Sequence, residues 1–292
     1  MDKCSYFIEE KALFGSFPSQ EDVEYLESIG TLYFVDLTME DEKNTSPYTT
    51  NYNYMKYPIE DRQIPRRWHS FAKLILTLCN VIKNLQDGEK LYLHCKGGHG
   101  RSGIVVACIL CCYLDIDPQE ALKKTTECHA KRKVMRDEWR KMGSPQSFYQ
   151  KNFVRNFFRS RFYSYNDLRE FSDYSAHPVL IQGLGKFPNA HCAYQALKAP
   201  QDENYISQLK KGIETQPSYI AENWDEKKLQ NMEFVLKEKF SQHPSLKKLL
   251  MDTGLNKLKR QSDDIYWGCK LFRGQNNHGK ILEKIREEFF LK

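Results

Sequence analysis

The densest run of reactive and flexible residues is His94-Cys95-Lys96-Gly97-Gly98-His99-Gly100-Arg101-Ser102-Gly103. Four glycines let the backbone turn tightly, so that successive N–H groups can point inward as an anion nest. A helix opening near Arg101 would add its positive N-terminal end. A dianionic phosphate fits such a cradle, ringed by Lys96, Gly97, Gly98, His99, Gly100 and Arg101, with Arg101 forking onto two oxygens. Cys95 sits in the same field. Thiols beside cations and helix N-termini ionise more readily than free ones, so Cys95 is expected to be a thiolate near neutral pH that attacks phosphorus. Ser102 is expected to hydrogen-bond the sulfur and help it leave, and His94 to order the loop. A glycine-rich turn with an inert buried cysteine is the bland alternative. Arginine six residues after the cysteine, with His before and Ser-Gly after, argues against it.

The flanking elements must deliver this loop. Leu32–Leu37 and Lys90–His94 read as strands, and Phe71, Leu74, Ile75, Leu78, Val81, Ile82 and Leu85 recur at helical spacing between them. Strand, helix and strand in that order predict a right-handed parallel crossover. Ser19 with Asp22 predicts a helix start and Gly30 its stop, and Asp117-Pro118 with Glu120 predicts another start. Thr38–Asn53 reads as a polar loop, and Pro145–Phe158 as an amphipathic helix. Near residue 162 the composition changes, with Asn166-Asp167 as a break. Two domains are therefore expected, 1–161 and 162–292. The fold class is α/β: an N-terminal domain with a central, mostly parallel sheet flanked by helices, then a mostly helical α+β domain.

The segment HCKGGHGRSG resembles the HCxxGxxR(S/T)G signature of the cysteine-based protein tyrosine phosphatases, and residues 5–160 resemble their compact dual-specificity branch. The resemblance implies a general acid for the leaving oxygen. Tyr57–Pro65 is similar to the family's acid loop, which sets an Asp four residues before a Pro and so selects Asp61. Glu60 is the neighbour that could replace it, and a plain helix-capping role is the other reading of Asp61. Ser144–Gln150 is similar to the late PQxxxQ stretch, where Gln146 and Gln150 orient a helix or a water. The implied reaction needs no cofactor and no metal. Its substrate class is a phosphorylated protein. Lys96 and His99 bring extra positive charge that would also suit a phosphoinositide or an RNA 5′ end.

The C-terminal region carries dispersed signals. Trp224, Lys228 and Met232 are spaced by four and share a helix face. An aromatic wall of Trp224 or Trp267, the Asp264 carboxylate and the Lys198 amine could hold a base or a ribose, whereas each residue alone would suit an ordinary core or turn. The ordered set, from Phe171-Ser172-Asp173 through Ala193-Tyr194-Gln195 and Lys198 to Asp264, Trp267, Gly274, Asn276 and Gly279, resembles the NADAR domain. That family includes N-glycosidases of riboflavin-pathway intermediates and enzymes that remove ADP-ribose from guanine. The resemblance implies a nucleotide-sugar site of Lys198, Asp264, Trp267, Asn276 and Gly279, with Lys198 attacking the sugar as an amine. The chain departs from the pattern where the family has a Glu-His pair, here His191-Cys192. It departs again at a family Asn, here Asp173, and at a family Glu, here Lys259. Loss of the Glu replaced by His191 leaves glycosidase action and simple ADP-ribose binding as alternatives. A module that only captures phosphate and nucleotide is the third reading.

Composition sets outer bounds. With 292 residues, 40% apolar and 13% aromatic, the chain is not a disordered protein. The apolar run Ile104–Leu114 is too short to span a bilayer, and the Met1–Lys11 stretch does not read as a secretory signal. Nine scattered cysteines suggest a reducing compartment, cytoplasmic or nuclear, rather than a disulfide framework. Cys108 and Cys111 form an isolated CxxC inside an apolar run, better read as core than as metal ligands. The net charge of +6 leaves a nucleic-acid partner open. The basic cluster Lys131, Arg132, Lys133, Arg136, Arg140 and Lys141 is interrupted by Asp137 and Glu138, unlike a nucleic-acid tail.

Overall fold

A computed structural model of the protein describes residues 2–164, 168–270 and 273–292. The chain divides into two compact units, Met1–Arg159 and Ser160–Lys292. The first opens with an antiparallel hairpin, β1 (Cys4–Ile8) and β2 (Ala12–Gly15), followed by α1 (Gln20–Ser28), β3 (Thr31–Asp36) and β4 (Asn53–Lys56). Then come α2 (Trp68–Asn84), β5 (Lys90–His94), α3 (Arg101–Tyr113), α4 (Pro118–Ala130), α5 (Asp137–Met142) and α6 (Phe148–Phe157). The sheet order is β1-β2-β5-β3-β4, parallel except for the hairpin.

The central strand is β5. Leu91, Tyr92 and Leu93 are fully buried, the near-continuous burial expected of a parallel strand covered on both faces. Its last residue, His94, pairs with Gly15 on one side and Asp36 on the other. Cys95 therefore leaves the sheet at its centre. Helix α3 is buried all round from Arg101 to Cys111, which accounts for the apolar run in that part of the sequence.

The local signals translate directly. Ser19 and Asp22 form a reciprocal capping box on α1, and Gly30 follows with φ of +96°. Asp117 accepts from the Gln119 and Glu120 amides, with Pro118 as the first helical residue of α4. Helix α6 starts later than Pro145, because Ser147 is its cap and shares a capping box with Gln150. The basic cluster is not a uniform surface. Arg132 is buried, with its guanidinium 4.3 Å from the Phe14 ring centre and donating to the Phe14 carbonyl. Arg140 donates to the Ala130 and Arg132 carbonyls. Arg132 fastens the end of α4 to the sheet, and Arg140 ties that end to α5.

The second unit is mostly helical. Strand β6 (Ser160–Tyr163) leads through a 3-10 turn (Arg169–Phe171) to a hairpin of β7 (Val179–Ile181) and β8 (Gly185–Phe187). Helices α7 (Ala190–Ala196), α8 (Glu203–Lys210), α9 (Trp224–Gln242) and α10 (Pro244–Met251) follow, then β9 (Lys257–Arg260) and α11 (Asn277–Leu291). Strand β6 pairs in parallel with β9, so Ser160 and Arg161 pack with this unit. The core includes Tyr163, Phe171, Phe187, Leu236, Phe240, Leu258 and Leu282. The break expected at Asn166-Asp167 lies outside the described residues.

Candidate active site

The loop from Cys95 to Gly100 joins the end of β5 to the start of α3, with Gly100 at the helix cap position. The Cys95 sulfur accepts the Gly98 N–H at 3.3 Å. Gly98 has φ of +73°, and a methyl group there would run into the Gly15 backbone. Only glycine serves at this position, since the turn needs a left-handed residue and no room exists for a side chain. The Phe17 N–H also donates to the Lys96 carbonyl at 3.0 Å. The hairpin thus forms the seat of the loop. A cleft of about 280 Å³ opens above it, lined by Asp61, Arg62, Cys95, Lys96, Gly97, His99, Gly100, Arg101, Trp139 and Gln146.

Arg101 is the best-anchored side chain of the site. Its Nη1 and Nη2 donate to the two Glu42 carboxylate oxygens at 2.6 and 2.7 Å, and Nη1 also donates to the Ile59 carbonyl at 3.0 Å. Asp61 Oδ1 lies 3.0 Å from Nη2. Burial disfavours the guanidinium charge, but the Glu42 hydrogen bonds outweigh it and hold Arg101 protonated. Burial likewise raises the Glu42 carboxyl, and Arg101 reverses this so that its pKa is lowered. Glu42 comes from the polar loop after β3 and was not singled out in the sequence, because nothing local links it to an arginine 59 positions away. Asp61 faces the cleft, whereas Glu60 is turned away to Arg66 at 2.6 Å. Asp61 does not cap α2, whose cap position is Arg67 with no side-chain bond.

Three loop residues behave differently from one another. His94 is fully buried, 2.7 Å from the Tyr48 hydroxyl through Nε2, and burial lowers its pKa to about 4. It is a neutral ordering residue. His99 stacks on Trp139 at 4.6 Å, and its Nδ1 lies 2.7 Å from His129 Nε2. Burial and the nearby Arg132 lower its pKa to about 4. The positive charge expected from His99 is therefore absent at neutral pH, and Lys96 and Arg101 are the loop's cations. Ser102 is fully buried with a hydroxyl that meets no hydrogen-bond partner, so the expected bond to the sulfur is not formed. Gln150 is buried and donates to the Gln63 carbonyl at 3.2 Å, tying α6 to the segment after Asp61, while Gln146 lines the cleft.

The second unit has a cavity of about 460 Å³ in which Lys198, Asp264 and Trp267 meet Asp173, His191, Trp224, Lys228, Met232 and Arg260. Trp267 stands edge-on to Tyr194, and Trp224 tilts onto the same ring. Lys198 Nζ lies 5.6 Å from the Trp224 ring centre, and partial burial lowers its pKa. Asp264 is exposed at the rim and spends one oxygen on the Tyr266 and Trp267 amides, so it shapes this turn. Asn276 and Gly279 do not line the cavity. Asn276 bridges strand β9, accepting from the Arg260 amide and donating to the Leu258 carbonyl. Gly279 lets α11 approach the Leu258 carbonyl so closely that a methyl group would collide with it. Both support the strand that carries Arg260. Lys259 is turned to the Phe162 ring instead of the cavity. Asp173, His191 and Arg260 are the additions that folding brings to the site.

The model described as Swiss Army Knife protein, DSP-PTPase phosphatase domain, matches residues 2–154, and the NADAR domain model matches residues 147–290. The second match begins at the cap of α6, a helix that packs with the first unit. The protein 197R of Invertebrate iridescent virus 6, named as a candidate tyrosine phosphatase, is 37% identical over 301 residues, covering 98% of this chain and 95% of its own. The N-glycosidase YbiA of Escherichia coli (strain K12) is 30% identical over 139 residues, covering 44% of this chain and 86% of that protein. A crystal structure of kinase associated phosphatase, with serine in place of its catalytic cysteine, is 21% identical at a TM-score of 0.42. It covers 53% of this chain and 92% of that one. The chain belongs to the DSP-PTPase phosphatase family through its N-terminal domain, a tyrosine/dual-specificity phosphatase domain, and carries a NADAR domain C-terminal to it.

Proposed function

We propose that the N-terminal domain hydrolyses phosphoprotein monoesters through a phosphocysteine on Cys95. The observation that carries this reading is the convergence of the Cys95 sulfur, Arg101 and Asp61 on one cleft. The phosphate docks on the amides of residues 96–100 and on Arg101. The sulfur attacks phosphorus, the ester P–O bond breaks, and Asp61 gives its proton to the leaving oxygen. Water then attacks phosphorus, Asp61 takes the water proton, and the S–P bond breaks. The transferring group is loose and metaphosphate-like, so pre-aimed donors supply most of the stabilisation. Arg101 suits that role because Glu42 fixes the plane of its fork. The Ser102 hydroxyl, free in the described state, is available to the sulfur as it departs.

The NADAR domain, in the same reading, takes an ADP-ribose-type nucleotide sugar. Trp224 and Trp267 offer stacking faces, while Lys198, Lys228 and Arg260 supply charge for a diphosphate. Cysteines scattered along the sequence support an intracellular, reducing compartment.

Wild-type protein and Cys95→Ser, with a thiol reductant and no added metal, test the first part. Phosphate release is followed from a phosphotyrosine peptide, a phosphothreonine peptide, a phosphoinositide and a 5′-triphosphorylated RNA. Cys95-dependent turnover of a peptide supports the reading. Turnover of only lipid or RNA overturns the protein assignment, and turnover of none overturns the site.

A further inference from the structure

Asp173 follows the 3-10 turn of the second unit, and His191 lies in the first turn of α7. The fold brings His191 Nδ1 to 3.2 Å from Asp173 Oδ2, and the His191 amide donates to the Asp173 carbonyl at 2.8 Å. These are two of the positions at which the sequence departs from the NADAR pattern. The carboxylate missing at 191 stands at 173, against the residue that replaced it.

We propose that Asp173 and His191 form a proton-transfer couple in a second active site, one that cleaves the bond between a ribose and a base nitrogen. This rests on the reading of the cavity as a nucleotide-sugar site. Asp173 is almost completely buried, and its other oxygen lies 2.9 Å from Arg260 Nη2 and 3.7 Å from His278 Nε2. Burial alone would raise its pKa, but the His191 hydrogen bond and the neighbouring Arg260 charge help to reverse this and hold it below the usual carboxylate range. An ionised Asp173 accepts the Nδ1 proton of His191, which leaves the lone pair on Nε2. The Tyr174 ring stacks on the imidazole at 4.0 Å and fixes its plane. Lys239 holds the loop from beneath, donating to the Glu170 and Ser172 carbonyls and to the Ser175 hydroxyl.

A purely structural pair would be closed off by core side chains. His191 instead forms part of the cavity wall beside Lys198 and Trp224. Its Nε2 has the Tyr174 hydroxyl and the Gln195 amide at 3.1 Å and the Glu214 carboxylate at 3.6 Å, polar groups among which a water can be held. In the step, water oxygen bonds to the anomeric carbon while the C–N bond breaks and its electron pair leaves on the base nitrogen. His191 Nε2 takes one water proton and returns it to that nitrogen. The products are the free sugar hydroxyl and the free base, with no co-reactant beyond water. Here Asp173 is a positioning residue, and His191 is the group that meets the substrate.

The groups facing the couple are Tyr174, Gln195, Glu214, Arg260, His278 and Lys239, and all are retained in the test. The full-length protein, His191→Asn and Asp173→Asn are titrated with ADP-ribose by calorimetry, then kcat and KM are measured on an oligonucleotide carrying ADP-ribosylated guanine. Asn at 191 can keep the donor to Asp173 but offers no Nε2; His191→Gln is the second variant should Asn fail to fold. Expected are ADP-ribose affinities within about threefold of wild type and a loss of turnover of about 10²-fold or more at position 191. Asp173→Asn should lower kcat by about tenfold or more with KM close to that of the wild type, because the imidazole loses the acceptor that holds its Nδ1 proton. Wild-type binding without turnover, unchanged turnover at position 191, or a loss in Asp173→Asn carried by KM alone would each overturn the couple. Absence of ADP-ribose binding by the wild type overturns the nucleotide-sugar reading, and the couple with it.

Discussion

Both carboxylate oxygens of Glu42 lie on the Arg101 guanidinium, at 2.6 and 2.7 Å, and Glu42 has no other role in the cleft lining. A paired fork of this kind fixes the plane as well as the charge. Glu42→Gln keeps the shape but loses one acceptor, freeing Arg101 to tilt. Small misplacements of a transition-state donor cost about 10²-fold. A drop of that order in kcat/KM on a phosphotyrosine peptide is expected, and unchanged kinetics would show that Arg101 does not depend on its partner.

Cys95→Ser should bring phosphate release to background while a phosphopeptide still binds. The cradle of amides and Arg101 does not involve the sulfur, apart from the Gly98 contact. Calorimetric titration of the variant with phosphotyrosine peptide is the check.

Asp61→Asn should slow phosphopeptide turnover by about 10²-fold or more, within the range for a lost general acid. The loss on p-nitrophenyl phosphate should be much smaller, because that leaving group departs without a proton. Parallel losses on both substrates would assign Asp61 to holding Arg101 instead.

Stability should fall as the solution is acidified. Burial lowers the pKa of His94 and His99 to about 4 and of His129 to about 3, with Arg132 adding to the last two. In the unfolded chain these rings titrate near 6.5. Between about pH 6.5 and 4 the unfolded chain therefore binds more protons, and folding weakens as pH falls. The urea midpoint should be lower at pH 5 than at pH 7, and the difference should narrow in His129→Gln.

Lys198→Ala should weaken ADP-ribose binding and leave peptide dephosphorylation unchanged. The lysine belongs to the cavity of the second unit and takes no part in the phosphatase cleft. A fall in phosphatase turnover would mean that the two sites are coupled.

The loop from His94 to Gly103 was legible because its chemistry is local: the cysteine, glycines and arginine meet through a single turn. The place of Asp61 in the cleft was legible through the resemblance of Tyr57–Pro65 to the family's acid loop. Glu42 was not, since the sheet rather than the chain brings it to Arg101. His99 was misjudged as a cation because its charge depends on burial beside Trp139 and Arg132, which no spacing reveals. Asn276 and Gly279 fit a pattern in order along the chain, yet they support β9 from outside the cavity. The closeness of Asp173 and His191 was equally hidden, because the fold and not the chain joins them.

The meeting of Gly98 with Gly15 ties the anion cradle to a hairpin that contributes no residue to the cleft lining. A side chain at Gly98 would displace the hairpin, and one at Gly15 would collide with the Tyr92 hydroxyl and with Cys4. The segment 4–17 thus acts as the mould against which the phosphate-holding turn is cast. Change in either part must be matched in the other, and drift in this outlying ribbon would be felt at the sulfur.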